Sequence, residues 1–229
     1  DLSGLNAGNC PGSTITLTQG ELAINKPMTI VGLGAGKTTI SGNDSSRIFN
    51  ASFCSAAVDI KEIRLTHGKG AGGGAITSFH CDLNLTDVVM SASQATYGGR
   101  GGGVSAAYSA LSIVNSSITG NSATDGGAVG IYDGELEMHG STISGNSATY
   151  KGGGIFVSAG SKAYVHYSTI SGNFIPPISG PYVYSVGGGG AHRKAQPLAR
   201  RRRHPGDQDQ RIRQRHEGAA DQFKQENAT

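Results

Sequence analysis

The sequence predicts an all-β protein whose short strands wind into a parallel β-helix, a solenoid with three strands per coil. Two observations carry this prediction: a repeat with a period of 25–28 residues, and an abundance of glycine, at 37 of the 229 residues. Hydrophobic residues make up only 36% of the chain and charged residues 15%. This composition argues against a helical bundle or a doubly wound α/β enzyme, and no apolar run approaches the ~20 residues of a membrane helix.

The clearest repeat is the motif Ser-x-Ile-Ser/Thr-Gly-Asn. Its apolar position is occupied by Ile40, Leu65, Met90, Ile118, Ile143 and Ile170. Two further registers keep this period: a pair of alternating apolar residues, such as Leu136 and Met138, and a glycine cluster followed by an aliphatic residue, such as Ile155. Alternation indicates strands with one buried face. A single coil cannot bury its own apolar side chains, so we expect five or six stacked coils from about Ile15 onward.

Glycine and asparagine occupy the predicted turns. Four asparagines share one turn register: Asn43, Asn121, Asn146 and Asn173. Asparagine tolerates a left-handed backbone, and its amide can form a hydrogen bond with the asparagine stacked above it. We therefore predict a structural asparagine ladder, interrupted at Gly68 and Ser93.

These repeats resemble those of right-handed parallel β-helix proteins of bacterial surfaces. The Ser-x-Ile-Ser-Gly-Asn and Gly-Gly-Gly-Ile motifs are similar to those of autotransporter passengers and polymorphic outer-membrane proteins, over about residues 1–173. The resemblance implies a right-handed coil and a secreted or surface-exposed stalk, adhesive or structural and without catalysis. It also implies a host-surface or polysaccharide ligand, and outer-membrane anchoring only through parts that this chain does not contain.

One polar cluster is expected on the outside of the coil. Because Leu136 and Met138 point inward, Glu137 and His139 point outward, and Tyr164 and His166 take the same positions one coil later. Stacked histidines could ligate a metal, and a carboxylate beside an imidazole could act in acid–base chemistry. A solvated strand face explains the same residues. We therefore assign them to a binding patch, with no metal and no cofactor.

A polysaccharide lyase or glycoside hydrolase is the alternative function, since such enzymes share the fold that the resemblance implies. A glycoside hydrolase needs two facing carboxylates. The candidate acids fall on different registers: Asp59, Asp82, Asp87, Asp125 and Asp133. The sequence therefore assigns no catalytic residue.

The three cysteines leave one question open. Cys54 and Cys81 are 27 residues apart, nearly one period, and could form a disulfide between adjacent coils. An offset of two residues from the 25-residue spacing argues against ideal geometry. Cys10 would then have no partner.

The basic residues are concentrated at the C-terminal end. Residues 192–229 hold 10 of the 19 Lys and Arg and 5 of the 16 Asp and Glu, which leaves 9 basic and 11 acidic residues in the rest. We predict a β-helix over 1–185 and a disordered, Arg-rich tail over 186–229.

Three interpretations of this tail stay open: truncated or out-of-frame sequence, a linker to an anchor, or a polyanion-binding segment without specific nucleic-acid recognition. An open last coil would expose unpaired strand edges, so self-association through the coil ends is expected.

Overall fold

The computed structural model describes residues 13–176, and all regular elements there are short β-strands. Each strand pairs in parallel with its equivalent one coil later, which builds a β-solenoid of about six coils. The predicted parallel β-helix is confirmed. In this part of the chain, no helix has the length and apolarity needed to span a membrane. The predicted boundary after residue 185, the tail at 186–229 and Cys10 lie outside the described residues.

The first two coils have three strands each: β1 (Ser13–Thr16), β2 (Leu22–Ile24), β3 (Thr29–Val31), β4 (Thr38–Ser41), β5 (Phe49–Ser52) and β6 (Val58–Lys61). The third and fourth coils have four each: β7 (Arg64–Thr66), β8 (Lys69–Ala71), β9 (Ile76–Phe79), β10 (Leu83–Thr86), β11 (Val89–Ser91), β12 (Gln94–Thr96), β13 (Val104–Ala107) and β14 (Ala110–Val114). The fifth and sixth coils follow the same plan: β15 (Ser117–Thr119), β16 (Ser122–Asp125), β17 (Val129–Tyr132), β18 (Glu135–His139), β19 (Thr142–Ser144), β20 (Ser147–Lys151), β21 (Ile155–Val157) and β22 (Lys162–His166). Strand β23 (Thr169–Ser171) begins a further coil.

Four parallel sheets form the sides of the solenoid, and we label them in the order in which a coil crosses them. Sheet A contains β1, β4, β7, β11, β15, β19 and β23, and sheet B contains β8, β12, β16 and β20. Sheet C contains β2, β5, β9, β13, β17 and β21, and sheet D contains β3, β6, β10, β14, β18 and β22.

Sheet B is a side of the solenoid that the sequence does not predict. Three strands per coil are expected, whereas four are present from the third coil onward. In three successive coils the apolar side chain that a sheet B strand buries is an alanine, at Ala95, Ala123 and Ala148. A lone alanine produces no alternation of large apolar residues, so the usual strand signal is missing.

The interior is a column of stacked apolar side chains. On sheet A, Ile40, Leu65, Met90, Ile118 and Ile143 pair in this order and are at most 1% exposed. Full burial of such a side chain contributes about 1.5–3 kcal/mol relative to exposure. Because each coil covers only its neighbours, the stability resides in the stack and not in any single coil.

The corners of the coils turn through a residue with φ between 44° and 86°. At the corner between sheets A and B these residues are His67, Ala92, Gly120, Gly145 and Gly172, and between sheets B and C they are Gly72, Gly101, Gly126 and Gly152. Between sheets C and D they are Phe53, His80, Tyr108 and Asp133, and between sheets D and A they are Glu62, Asp87, Asn115, Gly140 and Tyr167. This conformation is easy for glycine, tolerated by Asn and Asp, and unusual for bulky residues.

A hydrogen-bonded side-chain ladder follows the corner between sheets A and B. The Asn146 Oδ1 atom accepts from the backbone N–H of Asn121 at 2.9 Å, and Asn173 Oδ1 accepts from the backbone N–H of Asn146 at 3.0 Å. Ser93 continues this ladder and does not interrupt it, whereas the ladder ends at Gly68, which has no side chain. The Ser93 N–H donates to Asn121 Oδ1, and the Ser93 hydroxyl accepts from the N–H of Gly68.

Asn43 does not belong to the ladder, contrary to the prediction. Its side chain is exposed, and its backbone N–H donates to the Ser41 hydroxyl at 3.1 Å. The chain here makes a local turn in which the N–H groups of Ser45 and Ser46 donate to the carbonyl of Gly42, so Asn43 points to solvent. The left-handed backbone expected of the ladder asparagines belongs instead to the glycine before each of them.

A second ladder, of serines, follows the corner between sheets D and A. The hydroxyls of Ser116, Ser141 and Ser168 each accept an N–H from the preceding coil at 3.0 Å. Each also donates to the carbonyl two residues earlier in its own coil, at 2.7–2.9 Å. The first Ser and the last Asn of the repeat motif therefore satisfy backbone groups on either side of a sheet A strand, where buried unpaired groups would be costly.

Candidate functional site

The predicted binding patch lies on the outer face of sheet D. In the pairing of β18 with β22, Glu137 is opposite Tyr164 and His139 is opposite His166, and all four side chains are exposed. The ring of His139 meets the Tyr167 ring at a centroid distance of 5.2 Å. Within residues 13–176, no hydrogen bond or ion pair joins Glu137 to either histidine, and no cluster of His, Cys, Asp and Glu could hold a metal ion. The four residues are neighbours, but nothing in their contacts organises them for chemistry.

Polar side chains continue along the same face in earlier coils. The Asn84 amide donates to Asp59 at 3.3 Å, and the Lys61 ammonium lies 3.5 Å from the same carboxylate. All of these groups are at least partly solvated, and such ion pairs contribute about 0–1 kcal/mol. The outer face of sheet D is thus mostly polar, with the apolar side chains of Val31 and Val114 among the polar ones.

A different corner of the solenoid gathers ring side chains. We call this group the aromatic corner: Phe53, Phe79, His80, Tyr108 and Tyr132. His80 is stacked between Phe53 and Tyr108, at centroid distances of 5.5 and 4.8 Å and interplanar angles of 17° and 8°. Phe79 and Tyr132 meet this stack edge-on, at 4.6 Å from His80 and 5.9 Å from Tyr108. The aromatic corner therefore spans four successive coils.

Four of these five rings are exposed, and Phe79 is half-buried. Phe53 is 70% exposed and Tyr108 is 44% exposed. The guanidinium of Arg100 lies 4.9 Å from the Tyr132 ring centroid, a cation–π contact that extends the surface towards sheet C. The interior of the solenoid does not need these side chains, because the column of aliphatic residues already fills it.

A groove opens beside Tyr108, and we call it the corner groove. It has a volume of about 390 Å³ and is lined by Asp82, Tyr108, Ser109, Ala110, Asp133, Gly134, Glu135, Gly160 and Lys162. The volume falls within the usual range for small-ligand pockets. Three carboxylates and one ammonium give the lining an excess of negative charge.

Two of the carboxylates in the corner groove have defined partners. Asp82 accepts the N–H of Ala110 at 2.8 Å. Partial burial of the phenol raises the pKa of Tyr108 above its ordinary value of 10.0, and the negative charge of Asp133, the neighbouring Tyr132 and a hydrogen bond with Asp133 raise it further. Tyr108 therefore stays neutral and keeps its proton for hydrogen bonding throughout the physiological pH range.

Cys54 and Cys81 form a disulfide directly beside the aromatic corner, with their Cα atoms 4.8 Å apart. They follow Phe53 and His80 in the sequence, so the bridge fixes the spacing of these two rings. The expected offset of two residues is wrong, because β5 and β9 pair with a separation of 27, as between Phe49 and Ile76. The third coil has two more residues than the second between sheets A and C, where β8 forms, and two fewer between sheets C and D.

The aromatic corner and the corner groove are not predicted by the aliphatic registers of the sequence. Their signal is an aromatic or imidazole ring that recurs after 27 and 28 residues, at Phe53, His80 and Tyr108. Asp82 and Asp133 do fall on different registers, as expected. They nevertheless line one groove, because three consecutive residues of the corner between sheets C and D border it in each of two coils, at 108–110 and 133–135.

No protein family, no curated protein and no solved structure matches the chain. The resemblance to bacterial surface proteins therefore stays a prediction, and the function is inferred from the fold and the side chains of residues 13–176.

Proposed function

We propose that the chain is a secreted or surface-exposed β-helical domain that acts as a rigid adhesive or structural stalk. The observation that carries this proposal is the disulfide between Cys54 and Cys81, which joins two adjacent coils. Disulfides form and persist in oxidising, extracytoplasmic compartments and are rare in the cytosol. A bridge at this position supports export of the chain.

The architecture supports the mechanical part of the proposal. About six coils at a spacing of about 4.8 Å give a rod on the order of 30 Å long. Continuous parallel sheets connect every coil to the next, and the two side-chain ladders add hydrogen bonds between coils from the third coil onward. The exposed rings of the aromatic corner supply a surface on which a stalk could hold a partner.

Localisation on the cell of origin tests this proposal. Intact cells would be labelled with an antibody raised against the folded chain, with a cytosolic protein as the control for leakage. We expect surface or extracellular signal, and peptide mapping without reduction should recover Cys54 linked to Cys81. A chain confined to the cytosol with both thiols free would contradict the proposal.

Polysaccharide cleavage is a second candidate, favoured by one observation. Asp82 and Glu135 occupy equivalent positions two coils apart and line the same groove, with Ala110 between them. Two coil spacings are about 9.6 Å, close to the upper end of the carboxylate separation of ~6.5–9.5 Å in inverting glycosidases. Incubation with neutral and acidic polysaccharides, followed by analysis for new reducing ends, tests it, with Glu135→Gln as the inactive control.

Polyanion binding through the basic tail also stays a prediction, since residues 186–229 lie outside the described residues. Self-association through the coil ends also stays a prediction, because the chain beyond residue 176 lies outside the described residues.

A further inference from the structure

We propose that the aromatic corner and the corner groove together bind an uncharged, hydroxyl-rich oligosaccharide, which would be the ligand of the adhesive surface. This inference deepens the proposed function and rests on it for the role of the ligand, but the binding itself can be measured separately. Its basis is the juxtaposition of an exposed aromatic row with hydrogen-bonding groups at one edge of that row.

The backbone shows that the rings are not required by the turn. The corner between sheets D and A has the same left-handed conformation, with φ between 48° and 60°, and carries one ring, Tyr167, after Glu62, Asp87, Asn115 and Gly140 in the preceding coils. The corner between sheets C and D carries Phe53, His80 and Tyr108 with φ between 48° and 55°. A bulky residue in this conformation is strained, and the corner between sheets C and D has three such residues in successive coils whose rings stack on one another. An Asn or Gly would serve the fold at these positions with less strain.

The aromatic surface suits the apolar faces of sugar rings. Sugar C–H groups pack against exposed aromatic side chains, and a few polar groups at the edge then fix the orientation of the ligand. Tyr108 is the member of the row that borders the corner groove, and Tyr132 stands edge-on to it at 5.9 Å. A chain of sugar residues lying along the corner would therefore contact aromatic carbon and the groove at once.

The polar lining of the groove suits hydroxyl groups. A carboxylate offers about four acceptor positions, and Asp82 uses one of them for the Ala110 N–H. The remaining acceptors of Asp82, Asp133 and Glu135 face a groove to which Lys162 adds hydrogen-bond donors. Sugar hydroxyls both donate and accept, so they match this mixed lining.

The charge of the groove selects among glycans. Three carboxylates against one ammonium repel uronates, sialates and sulfated sugars, since like charges at an interface are unfavourable. The site therefore fits a neutral glycan and disfavours an acidic one. The disulfide beside Phe53 and His80 holds the aromatic surface in place before binding, which lowers the entropy lost on association.

The test compares three forms of the full 229-residue chain on an array of neutral and acidic glycans, followed by calorimetry with the neutral hexasaccharides that bind. Tyr108→Asn removes the ring but keeps a residue that tolerates the left-handed backbone. Tyr167→Asn is the matched control, because Tyr167 has φ 50° and is 90% exposed at the other corner. Unchanged thermal unfolding would show that each variant is folded.

We expect neutral glycans to bind the wild type, acidic glycans to bind more weakly, and Tyr108→Asn to weaken binding about tenfold or more. Tyr167→Asn should bind as the wild type does. The proposal is overturned if no neutral glycan binds, if acidic glycans bind more tightly, or if the two variants are indistinguishable. If no glycan binds while intact cells still display the chain, the ligand is wrong and the surface function stands.

Discussion

The side-chain carbonyl of Asn146 accepts two hydrogen bonds from Asn121 in the preceding coil. One comes from the backbone N–H at 2.9 Å and the other from the side-chain amide at 3.0 Å. The Asn146 amide in turn donates to the carbonyl of Ile118 and to Asn173 Oδ1, both at 2.9 Å. A single buried side chain thus connects three coils, and the first prediction concerns its removal.

Asn146→Ala should destabilise the domain by about 2–4 kcal/mol, because it leaves the buried N–H of Asn121 without a partner and breaks a chain of hydrogen bonds. Urea denaturation followed by circular dichroism measures the change. Asn43→Gly is the control, since Asn43 is exposed, lies outside the ladder and has a positive φ that glycine accepts. Equal losses for the two variants would show that the ladder has no special role.

Replacing both Cys54 and Cys81 with Ser should lower the free energy of unfolding by about 3.5 kcal/mol, the effect expected for closing a loop of about 27 residues. The sequence separation of the bridged cysteines is 27. The measurement is urea denaturation of the double variant beside the oxidised and reduced wild type. Reduction alone should reproduce the loss in the wild type and leave the double variant unchanged.

Gly127→Ala should destabilise the solenoid by about 3 kcal/mol, because the added methyl group would collide with the backbone carbonyl oxygen of Gly153 in the next coil. Gly36→Ala is the matched control, since nothing lies within 4 Å of a methyl group at that position. The control should be neutral or more stable by about 0.5 kcal/mol. Thermal unfolding of both variants separates the steric effect from the general effect of replacing glycine.

The ionisation of Tyr108 should occur above the ordinary tyrosine pKa of about 10. Burial raises this pKa first and Asp133 raises it further, so Asp133→Asn should lower it only in part. The difference in ultraviolet absorbance between the wild type and Tyr108→Phe, followed with pH, isolates this one phenol. A value for Tyr108 at or below 10 would contradict the inferred contact with Asp133.

The raised pKa of Tyr108 also determines how the stability of the fold depends on pH. Because this pKa is higher in the folded state than in the unfolded chain, the contribution of Tyr108 to stability is fully present below the pKa of the unfolded chain. It is then lost as the pH rises through the folded-state pKa. The wild type should therefore lose stability in this alkaline range more steeply than Tyr108→Phe, as measured by urea denaturation at several pH values.

Periodicity allowed most of the fold to be predicted. The aliphatic residues at positions such as Ile118 and Ile143 recur at the coil period because each must cover its neighbour, so their spacing reports the architecture directly. Sheet B could not be predicted in this way, since Ala123 and Ala148 are too small to produce an apolar pattern. The exposed turn at Asn43 escaped prediction because its register matches the ladder while its local hydrogen bonds do not.

The candidate site was harder to predict because it depends on the corners. The strand alternation correctly placed Glu137 and Tyr164 side by side on an outer face. It could not reveal the aromatic corner, in which Phe53, His80 and Tyr108 follow the strands and take their direction from a left-handed turn. The pairing of Cys54 with Cys81 was hard to predict from the 25-residue period. The third coil has two more residues than the second between sheets A and C, and two fewer between sheets C and D.

The stacking of coils also determines how the domain would respond to force. Since each coil is held mainly by its neighbours, tension applied through β1 would peel coils away one after another, each releasing about 90 Å of extended chain. The bond between Cys54 and Cys81 places a covalent stop within the second and third coils. Tension from this side would therefore release the chain as far as Cys54 and then pass through the bond to Cys81, so residues 55–80 could not add to the extension.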